Sequence, residues 1–445
     1  MGTIAHFGTD GIRGTANEGL TPLIAYRIGR FIGQYPANHK NKIIIARDTR
    51  VSGDMLSNAL ISGMLASGCA VFDIGVSTTP SVSFLVENYD FDYGIMISAS
   101  HNPYYDNGIK IFNKKGEKLE NSIEKMIENY IYVGKDDLPF AKNEELGRVE
   151  DASKFKELYI NFLLKKAKDL NGLKILVDCA NGSSSMISKE VFNKLGIEAT
   201  YICDKPNGLN INDRCGSTHL NQLVNECKKG QYDLCFAFDG DADRLMCLNG
   251  DGHIIDGDGI IFVNALSLKQ DNKLRDNKVV ITVMSNIGLK KVLAANDVDF
   301  LEVAVGDKYV QAALKENHLS LGGEQSGHII FLDELNTGDG FLTAISLMNI
   351  YRYKHDIFLK AITQLVIYPQ ILENITVANK EAIMSNKGLK EHISKIEKKL
   401  DGDGRILVRP SGTEPLIRVM CEAKSIDTCR SVCADIVEYI KDLSF

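Results

Sequence analysis

One order of elements recurs three times along the chain and limits the folds open to it. The first copy has an apolar strand at 42–50, a helix of period 3.6 at 52–68 and a second strand at 69–75. Strands that alternate with helices predict parallel sheets covered by helices, and ligands of such sheets bind beyond the carboxyl ends of the strands. The loops that follow the last strand of each copy are therefore where we look for chemistry.

The length of 445 residues, at roughly 150 residues per domain, predicts about three domains. After residue 370 a Lys/Glu-rich helical stretch, a strand pair in RILVRPSGTEPLIRVMCEA and a last helix near 428–443 predict a smaller α+β domain. The predicted fold class is α/β, with three similar α/β domains of mixed, largely parallel sheets plus the smaller C-terminal domain. We place the domains at 1–150, 151–255, 256–370 and 371–445.

Composition and charge argue against several classes of partner. Lys and Arg number 51 against 58 Asp and Glu, a net charge of −7, which provides no basic surface for nucleic acid. No window reaches the roughly 20 apolar residues that span a bilayer, so we expect no membrane partner and a cytoplasmic location. Ten scattered cysteines without a Cys-x-x-Cys pair predict reduced thiols, and Cys429 and Cys433 are interpreted as packing.

The loop ISASHNPYYDNGIKIF (97–112) places Ser100 at the end of an apolar strand, where its hydroxyl could act as a nucleophile or phosphate carrier. His101 follows it, but adjacent side chains usually point apart and no Gly-x-Ser-x-Gly elbow is present. We therefore favour a turn-shaping role for His101 over a Ser-His-Asp triad. Lys110, on the far side of the loop, could neutralise a phosphate or move a proton.

The loop DGDADR carries Asp239, Asp241 and Asp243 at every second position. A bend at Gly240 could turn all three carboxylates onto one hard cation, whereas three buried carboxylates without a cation would repel one another. A calcium loop would need Gly where Arg244 stands, so Mg²⁺ or another small divalent ion is favoured. The alternative is a solvated acidic turn.

Two further loops carry polar groups suited to a sugar phosphate. GGEQSGH (322–328) offers Glu324, Ser326 and His328 for sugar hydroxyls, although by itself it could be only a turn. RPSGTEP (409–415) can surround a phosphate with a guanidinium, hydroxyls and backbone amides. Its candidate residues, with one arginine just beyond it, are Arg409, Ser411, Gly412, Thr413 and Arg418.

Five motifs occur in the order and spacing of the α-D-phosphohexomutases, and the chain resembles that family over nearly its whole length. The motifs are FGTDGIRG, ISASHNPYYDNGIK, DGDADR, GGEQSGH and RPSGTEPLIRV. Their details are similar to bacterial members that act on glucosamine phosphates. The resemblance implies a heart-shaped enzyme in which four domains line a central cleft, and a homodimer.

The resemblance also implies roles for single residues. Ser100 would be the phosphoserine, and the three aspartates with an oxygen of its phosphate would hold one Mg²⁺ per chain. Glu324 and Ser326 would bind sugar hydroxyls, and the RPSGTEP loop would hold the phosphate that does not react. Proton transfer is implied for His328 and Lys110, and Arg13 and Arg244 match positions near the transferring phosphate. The candidate catalytic set is Ser100, His101, Lys110, Arg13, Arg244 and His328.

The implied reaction interconverts glucosamine 6-phosphate and glucosamine 1-phosphate through a glucosamine 1,6-bisphosphate, feeding UDP-N-acetylglucosamine and cell-wall precursor synthesis. Glucosamine 1,6-bisphosphate or glucose 1,6-bisphosphate would be the activator, and small sugar phosphates the partners. Gln325 and the stretch YYDNGIK favour glucosamine, whereas Lys308 stands where relatives often carry Arg. The alternatives are a phosphoglucomutase or phosphomannomutase, a metal-dependent sugar phosphatase, and a non-catalytic sugar-phosphate sensor.

Overall fold

The described residues divide into two units, and each has its own core. In this computed structural model, they are residues 5–36, 40–132, 135–411 and 415–443. The first unit runs to Met284 and includes Val298–Ile362; the second contains Ser285–Asp297 and the chain from Thr363 onward. The domain boundaries near 150, 255 and 370 stay a prediction.

The first sheet has seven strands among the described residues, in the order β1-β2-β6-β5-β3-β4-β7. Strand β3 pairs in parallel with β4 and β5, while β6 runs antiparallel to β5. Its apolar core is continuous with the helices that cover it. The strands are β1 (Phe7–Gly8), β2 (Gly11–Thr15), β3 (Lys42–Arg47), β4 (Ala70–Val76), β5 (Tyr93–Ile97), β6 (Asp106–Phe112) and β7 (Arg148–Asp151).

The next two sheets repeat this plan. Their orders are β12-β11-β10-β8-β9 and β14-β13-β15-β16. In each, an antiparallel strand borders the parallel strands: β11 lies beside β10, and β16 lies beside β15. The strands are β8 (Lys174–Asp178), β9 (Glu198–Ile202), β10 (Leu234–Phe238), β11 (Leu245–Asn249), β12 (Ile254–Ile255), β13 (Lys278–Thr282), β14 (Asp299–Val303), β15 (Leu321–Gly323) and β16 (Ile329–Phe331).

Three predicted chemical loops therefore occupy the same place in their sheets. The serine loop joins β5 to β6, DGDADR joins β10 to β11, and the turn after Gly323 joins β15 to β16. The strands that enter these loops are buried along their whole length. A fully buried strand leads the chain out of the apolar layer at a fixed point, so the polar residues that follow are held at the sheet edge.

The helices cover the sheets, and several begin at side-chain caps. Thr21 and Thr78 each accept a backbone N–H at a helix start, with Pro in the first turn, and Asp339 caps a third helix. No helix in the described ranges is long and apolar enough to cross a membrane. The helices are α1 (Pro22–Gln34), α2 (Ser52–Ala66), α3 (Thr79–Asn88), α4 (Asn121–Tyr132), α5 (Lys156–Lys166), α6 (Ser184–Lys194), α7 (Asn221–Cys227), α8 (Gly257–Gln270), α9 (Ile287–Ala295), α10 (Asp307–Glu316), α11 (Gly340–Tyr353), α12 (His355–Gln364), α13 (Lys380–Ser385), α14 (Lys387–Leu400) and α15 (Ile426–Asp442). Short 3₁₀ turns lie at Asn143–Glu145, Ser153–Phe155 and Arg275–Asn277.

The second unit contains a three-stranded antiparallel sheet of order β17-β19-β18. Its strands are β17 (Gln370–Thr376), β18 (Gly404–Pro410) and β19 (Leu416–Ala423). The sequence prediction missed β17 and expected a helical stretch there, because QILENIT is short and largely polar and buries only Ile375. Cys429 and Cys433 both lie in the apolar core of this unit, as the packing interpretation expected.

Candidate active site

Ser100 lies at the end of β5 in an uncommon backbone conformation. Its φ is +53°, in the left-handed region, and the residue is 1% exposed. Its Oγ donates a hydrogen bond to Asp239 Oδ2 at 2.5 Å, and its backbone N–H donates to Ser98 Oγ at 2.9 Å. The structure thus joins two loops that are 139 residues apart in the chain.

His101 contacts Ser100, contrary to the expectation that neighbouring side chains point apart. Its Nδ1 lies 3.3 Å from Ser100 Oγ, because the left-handed turn at Ser100 breaks the alternation of an extended strand. Burial, followed by the positive charges of Arg244 and Arg13, lowers the pKa of His101 to about 3. A triad base is oriented by a carboxylate and carries a raised affinity for protons, so this neutral imidazole among arginines does not fit a Ser-His-Asp triad.

The three aspartates of DGDADR converge as their spacing predicts. Their side chains are almost completely buried, and one oxygen of each lies within 4.8 Å of those of the others. Within the described residues, Oδ1 of Asp241 and Oδ1 of Asp243 are buried without a hydrogen-bond partner. Burial and the charges of Asp243 and Asp241 raise the pKa of Asp239 well above its usual range. Oxygen ligands that are buried and unsatisfied fit a small hard cation.

Lys110 supplies positive charge to this cluster from strand β6. Its Nζ lies 2.7 Å from Asp241 Oδ2, 3.0 Å from Asp243 Oδ2 and 2.9 Å from Asp10 Oδ2, and its side chain is completely buried. Burial would lower the pKa of Lys110, but the carboxylates of Asp10, Asp241 and Asp243 raise it well above its usual value. An ammonium held in this state neutralises negative charge.

Asp10 is a member of the site that the sequence analysis did not single out. It accepts hydrogen bonds from Arg13 and Lys118 as well as pairing with Lys110. Burial would raise the pKa of Asp10, but Lys110, Lys118 and Arg13 lower it well below its usual value. The only sequence signal was its place in the FGTDGIRG motif.

Arg13 and Arg244 leave donors directed at no described residue. The Nε atom of each is buried without a hydrogen-bond partner in the described part of the chain. The backbone N–H of Arg244 donates to Asp239 Oδ1 at 3.2 Å, which fixes that residue beside the aspartates. Buried guanidinium donors without a partner among the described residues fit the binding of a phosphoryl group.

The turn between β15 and β16 reaches the same cluster. His328 Nδ1 lies 3.7 Å from Asp243 Oδ1, and its Nε2 accepts the Gly338 N–H at 3.1 Å. Glu324 is buried, and its Oε1 accepts the Gly306 N–H at 3.0 Å. Ser326, between them, is half-buried. His328 is therefore held near the aspartates, and Glu324 is held by the backbone of Gly306.

Gln325, which bore on sugar choice, and Lys308, which stands where relatives often carry Arg, both have partners within the protein. The Gln325 amide donates to Asp256 Oδ2 at 3.3 Å, so it braces the start of α8 and nothing in the contact reads an amine. Lys308 Nζ lies 3.0 Å from Glu124 Oε2 and also contacts Asn121, both on α4. The described contacts of the Lys308 ammonium are thus with α4.

A second set of candidate residues lies in the second unit. Arg409 on β18 and Arg418 on β19 are directly opposite each other in the antiparallel register. Burial and the charge of Arg418 lower the pKa of Arg409. Lys380, which the sequence analysis missed, donates to the carbonyl oxygen of the buried Ser411 at 2.7 Å. Like charges directly opposite in a sheet are destabilising, so this pair fits an anion-binding role. Gly412 and Thr413 lie outside the described residues.

Asp178, Cys203 and Cys215 form another group of potential metal ligands, and Asp178 ends strand β8 of the sheet that carries the DGDADR loop. The two carboxylate oxygens of Asp178 already accept the backbone N–H groups of Ala180 and Gly216, each at 2.8 Å. Through these hydrogen bonds the Asp178 carboxylate stabilises the turns at Ala180 and Gly216.

Comparisons with known proteins identify the family of the chain. Models of the phosphoglucomutase/phosphomannomutase alpha/beta/alpha domains I, II and III match residues 5–136, 155–252 and 256–367, and the model of the C-terminal domain matches 372–439. The chain belongs to the phosphoglucomutase/phosphomannomutase family. This confirms the resemblance to the α-D-phosphohexomutases and the predicted fold class.

Individual relatives are similar over almost the whole chain. The phosphoglucosamine mutases of Bacillus subtilis (strain 168) and Bacillus licheniformis are each 44% identical over 439 residues, covering 98% of this chain and 98% of their own. A phosphoglucomutase/phosphomannomutase family protein from Burkholderia thailandensis has a TM-score of 0.80 at 25% identity, covering 99% of this chain and 98% of that chain. An N-acetylphosphoglucosamine mutase from Aspergillus fumigatus, solved with GlcNAc-6P and magnesium, has a TM-score of 0.70 at 18% identity, covering 100% and 96%.

Proposed function

We propose that this chain is a phosphosugar isomerase that interconverts glucosamine 6-phosphate and glucosamine 1-phosphate through a phosphorylated Ser100. The contact that carries the proposal is the 2.5 Å hydrogen bond from Ser100 Oγ to Asp239, inside a cluster of buried carboxylates, a lysine and arginines. The 44% identity with phosphoglucosamine mutases supports glucosamine as the sugar.

The first transfer moves a phosphoryl group from Ser100 to the free hydroxyl of the sugar monophosphate. The bond from phosphorus to Ser100 Oγ breaks, a bond to the sugar oxygen forms, and the hydroxyl proton ends on Ser100 Oγ. Asp239 accepts the resulting Oγ–H, which is the contact seen in the structure. Because phosphoryl transfer passes through a loose transition state, positioning and charge neutralisation matter more than a strong base.

The second transfer requires the bisphosphate to turn around. Its other phosphate then faces Ser100 and returns to it, so the isomeric monophosphate leaves and the phosphoserine is restored. Glu324 and Ser326 would bind sugar hydroxyls in both orientations. Arg409, Ser411 and Arg418 would hold the phosphate that does not react, with Lys380 as an additional cation.

Several charged groups of the reacting site have a role in this scheme. Lys110, Arg13 and Arg244 would neutralise the phosphoryl oxygens, since Arg13 and Arg244 retain buried unsatisfied donors. His328 would relay a proton at Nδ1, and His101 would pack against the serine. A divalent cation held by Asp239, Asp241 and Asp243, which we propose to be Mg²⁺, would add charge neutralisation at the transferring group.

The test is a comparison of sugars with the purified full chain, primed by glucose 1,6-bisphosphate. We expect kcat/KM for glucosamine 6-phosphate to exceed that for glucose 6-phosphate and mannose 6-phosphate by about tenfold or more. Inorganic phosphate is measured in the same reactions. A preference for glucose or mannose would favour the phosphoglucomutase or phosphomannomutase alternative, and phosphate release at the rate of substrate loss would indicate a phosphatase.

Three further parts of the proposal rest on the sequence and its resemblance. They are activation by glucosamine or glucose 1,6-bisphosphate, assembly as a homodimer, and a cytoplasmic location. Native mass spectrometry of the purified chain would test the dimer.

A further inference from the structure

The guanidinium group of Arg50 donates hydrogen bonds to the backbone of the serine loop. Its side chain is completely buried, and its five N–H groups have five acceptors, of which four are backbone carbonyls of that loop. Nε donates to Asp48 Oδ2 at 2.8 Å. The carbonyl acceptors belong to Ser100 (2.9 Å), Asn102 (2.8 Å), Asp106 (3.0 Å) and Pro103.

Asp48 extends this contact to the other side of Ser100. It accepts from Arg50 Nε and, at 2.6 Å, from the hydroxyl of Ser98. The same Ser98 oxygen accepts the backbone N–H of Ser100 at 2.9 Å. The backbone of Ser100 is therefore held at its carbonyl by Arg50 and at its amide through Ser98.

A second set of hydrogen bonds to the serine loop comes from a distant part of the chain. Asn212 Nδ2 donates to the carbonyl oxygens of Ser100 at 2.8 Å and Asn102 at 3.0 Å. These two carbonyls also accept hydrogen bonds from Arg50, so Arg50 and Asn212 together hold the serine loop in one conformation. Asn212 itself has φ of +56°, a conformation that Asn tolerates better than most residues.

These contacts matter because they hold Ser100 in a backbone conformation that serine rarely adopts. A non-glycine residue at φ of +53° costs free energy and persists only when its surroundings fix it. In-line phosphoryl transfer requires the oxygen to be placed accurately, and a misplacement of about 1 Å can cost a hundredfold in rate. We propose that Arg50 is a positioning residue for Ser100, acting through the carbonyls of the serine loop and never on the sugar phosphate itself.

This inference rests on the proposed function and adds a residue to it. Arg50 contacts neither the aspartate trio nor Lys110 in any hydrogen bond described above, so its removal should leave substrate affinity intact. Loss of Arg50 should instead lower the fraction of encounters in which Ser100 Oγ is in line with the phosphorus. The expected signature is a reduced kcat at an unchanged KM.

The primary variant is Arg50→Lys, which keeps the charge but loses the planar fork that reaches several carbonyls at once. We expect kcat with glucosamine 6-phosphate to fall about a hundredfold and KM to stay within about twofold of the wild type. Intact-mass spectrometry after incubation with glucose 1,6-bisphosphate should show a reduced phosphorylated fraction.

Arg30 offers a matched control in the same sheet's covering helix α1. Its side chain is also completely buried, and its guanidinium donates to the carbonyls of Leu138 and Pro139 and pairs with Asp136. Arg30→Lys should lower the melting temperature to a similar extent but leave kcat near that of the wild type. Equal losses of kcat in both variants would show that Arg50 serves stability alone and would overturn the proposal.

Asn212→Gly keeps the experiment informative if Arg50→Lys does not fold. Glycine adopts positive φ freely and removes only the amide donors, so we expect a folded protein with kcat lowered about tenfold. A wild-type kcat in folded Arg50→Lys, or in Asn212→Gly when Arg50→Lys is unfolded, overturns the proposal. A wild-type chain that converts no sugar phosphate would instead show that the proposed function is wrong, and the positioning role would fall with it.

Discussion

The Ser100 cluster in the first unit and the arginine pair in the second unit, both of which we propose to bind a phosphate, are built in opposite ways. Around Ser100, cations and carboxylates are buried together, and Lys110 touches three carboxylates. On the three-stranded sheet, Arg409 and Arg418 face each other as two like charges, and Arg409 is only half-buried.

This difference fits the two chemical tasks that we propose for the two sites. A phosphoryl group in transfer must be reached from one direction, with water excluded and opposite charges fixed beforehand. A phosphate that does not react needs charge and hydrogen-bond donors, and small displacements matter less. We therefore expect changes in the buried site to act on kcat and changes in the arginine pair to act on KM.

The largest effect is expected from Ser100→Ala. Without the hydroxyl no phosphoenzyme can form, so mutase activity should fall by about a thousandfold or more, and intact-mass spectrometry should show no phosphorylated fraction. Ser83→Ala is the control, since Ser83 is a buried serine of α3 whose Oγ donates to the Gly116 carbonyl at 2.7 Å. If the Ser100→Ala protein is phosphorylated, or retains a tenth of the activity, the phosphate carrier is another residue. If Ser100→Ala causes no loss of function, a non-catalytic sugar-phosphate sensor is favoured.

Asp241→Asn should have the next largest effect. Removing one of three buried carboxylates should weaken divalent-cation binding and slow transfer about a hundredfold, measured by Mg²⁺-dependent kinetics and Mn²⁺ titration calorimetry. Asp178→Asn is the control, because Asp178 is buried in the same sheet with its oxygens on backbone amides. Normal turnover of Asp241→Asn in the presence of a chelator would contradict the metal assignment.

Arg418→Gln should have the smallest effect and a different signature. KM for the sugar phosphate should rise about tenfold while kcat changes little, because one charge-assisted phosphate contact is lost. The unfolding free energy without phosphate should stay level or rise by about 0.5 kcal/mol, since the repulsion with Arg409 is relieved. Arg405→Lys on the same sheet, paired with the buried Glu422, should leave KM unchanged. A fall in kcat at constant KM would remove the distinction between the two regions.

The sequence predicted the parts of the site that are marked by local pattern. Buried strands ending in polar loops placed Ser100, the aspartate trio and Glu324 at equivalent sheet edges, and the chain brings them together there. The spacing of Asp239, Asp241 and Asp243 also anticipated their convergence.

What the sequence could not predict depends on partners distant in the chain or on the backbone. Asp10 pairs with Lys110 and Lys118, each about a hundred residues away, and no periodicity links them. Arg50 binds carbonyl oxygens, which every residue carries, so its role leaves no side-chain signature. Strand β17 was missed because its own residues do not indicate a strand. Its extended conformation depends on pairing with β19.

The left-handed backbone conformation at Ser100 sets thermal stability against the presence of the serine hydroxyl. Glycine would sit at that position with less strain than any other residue, so Ser100→Gly should be the more heat-resistant of the inactive variants and outlast Ser100→Ala. The protein accordingly retains backbone strain at the serine that we propose as the phosphate carrier, and selection for thermal stability alone would be expected to replace this residue first.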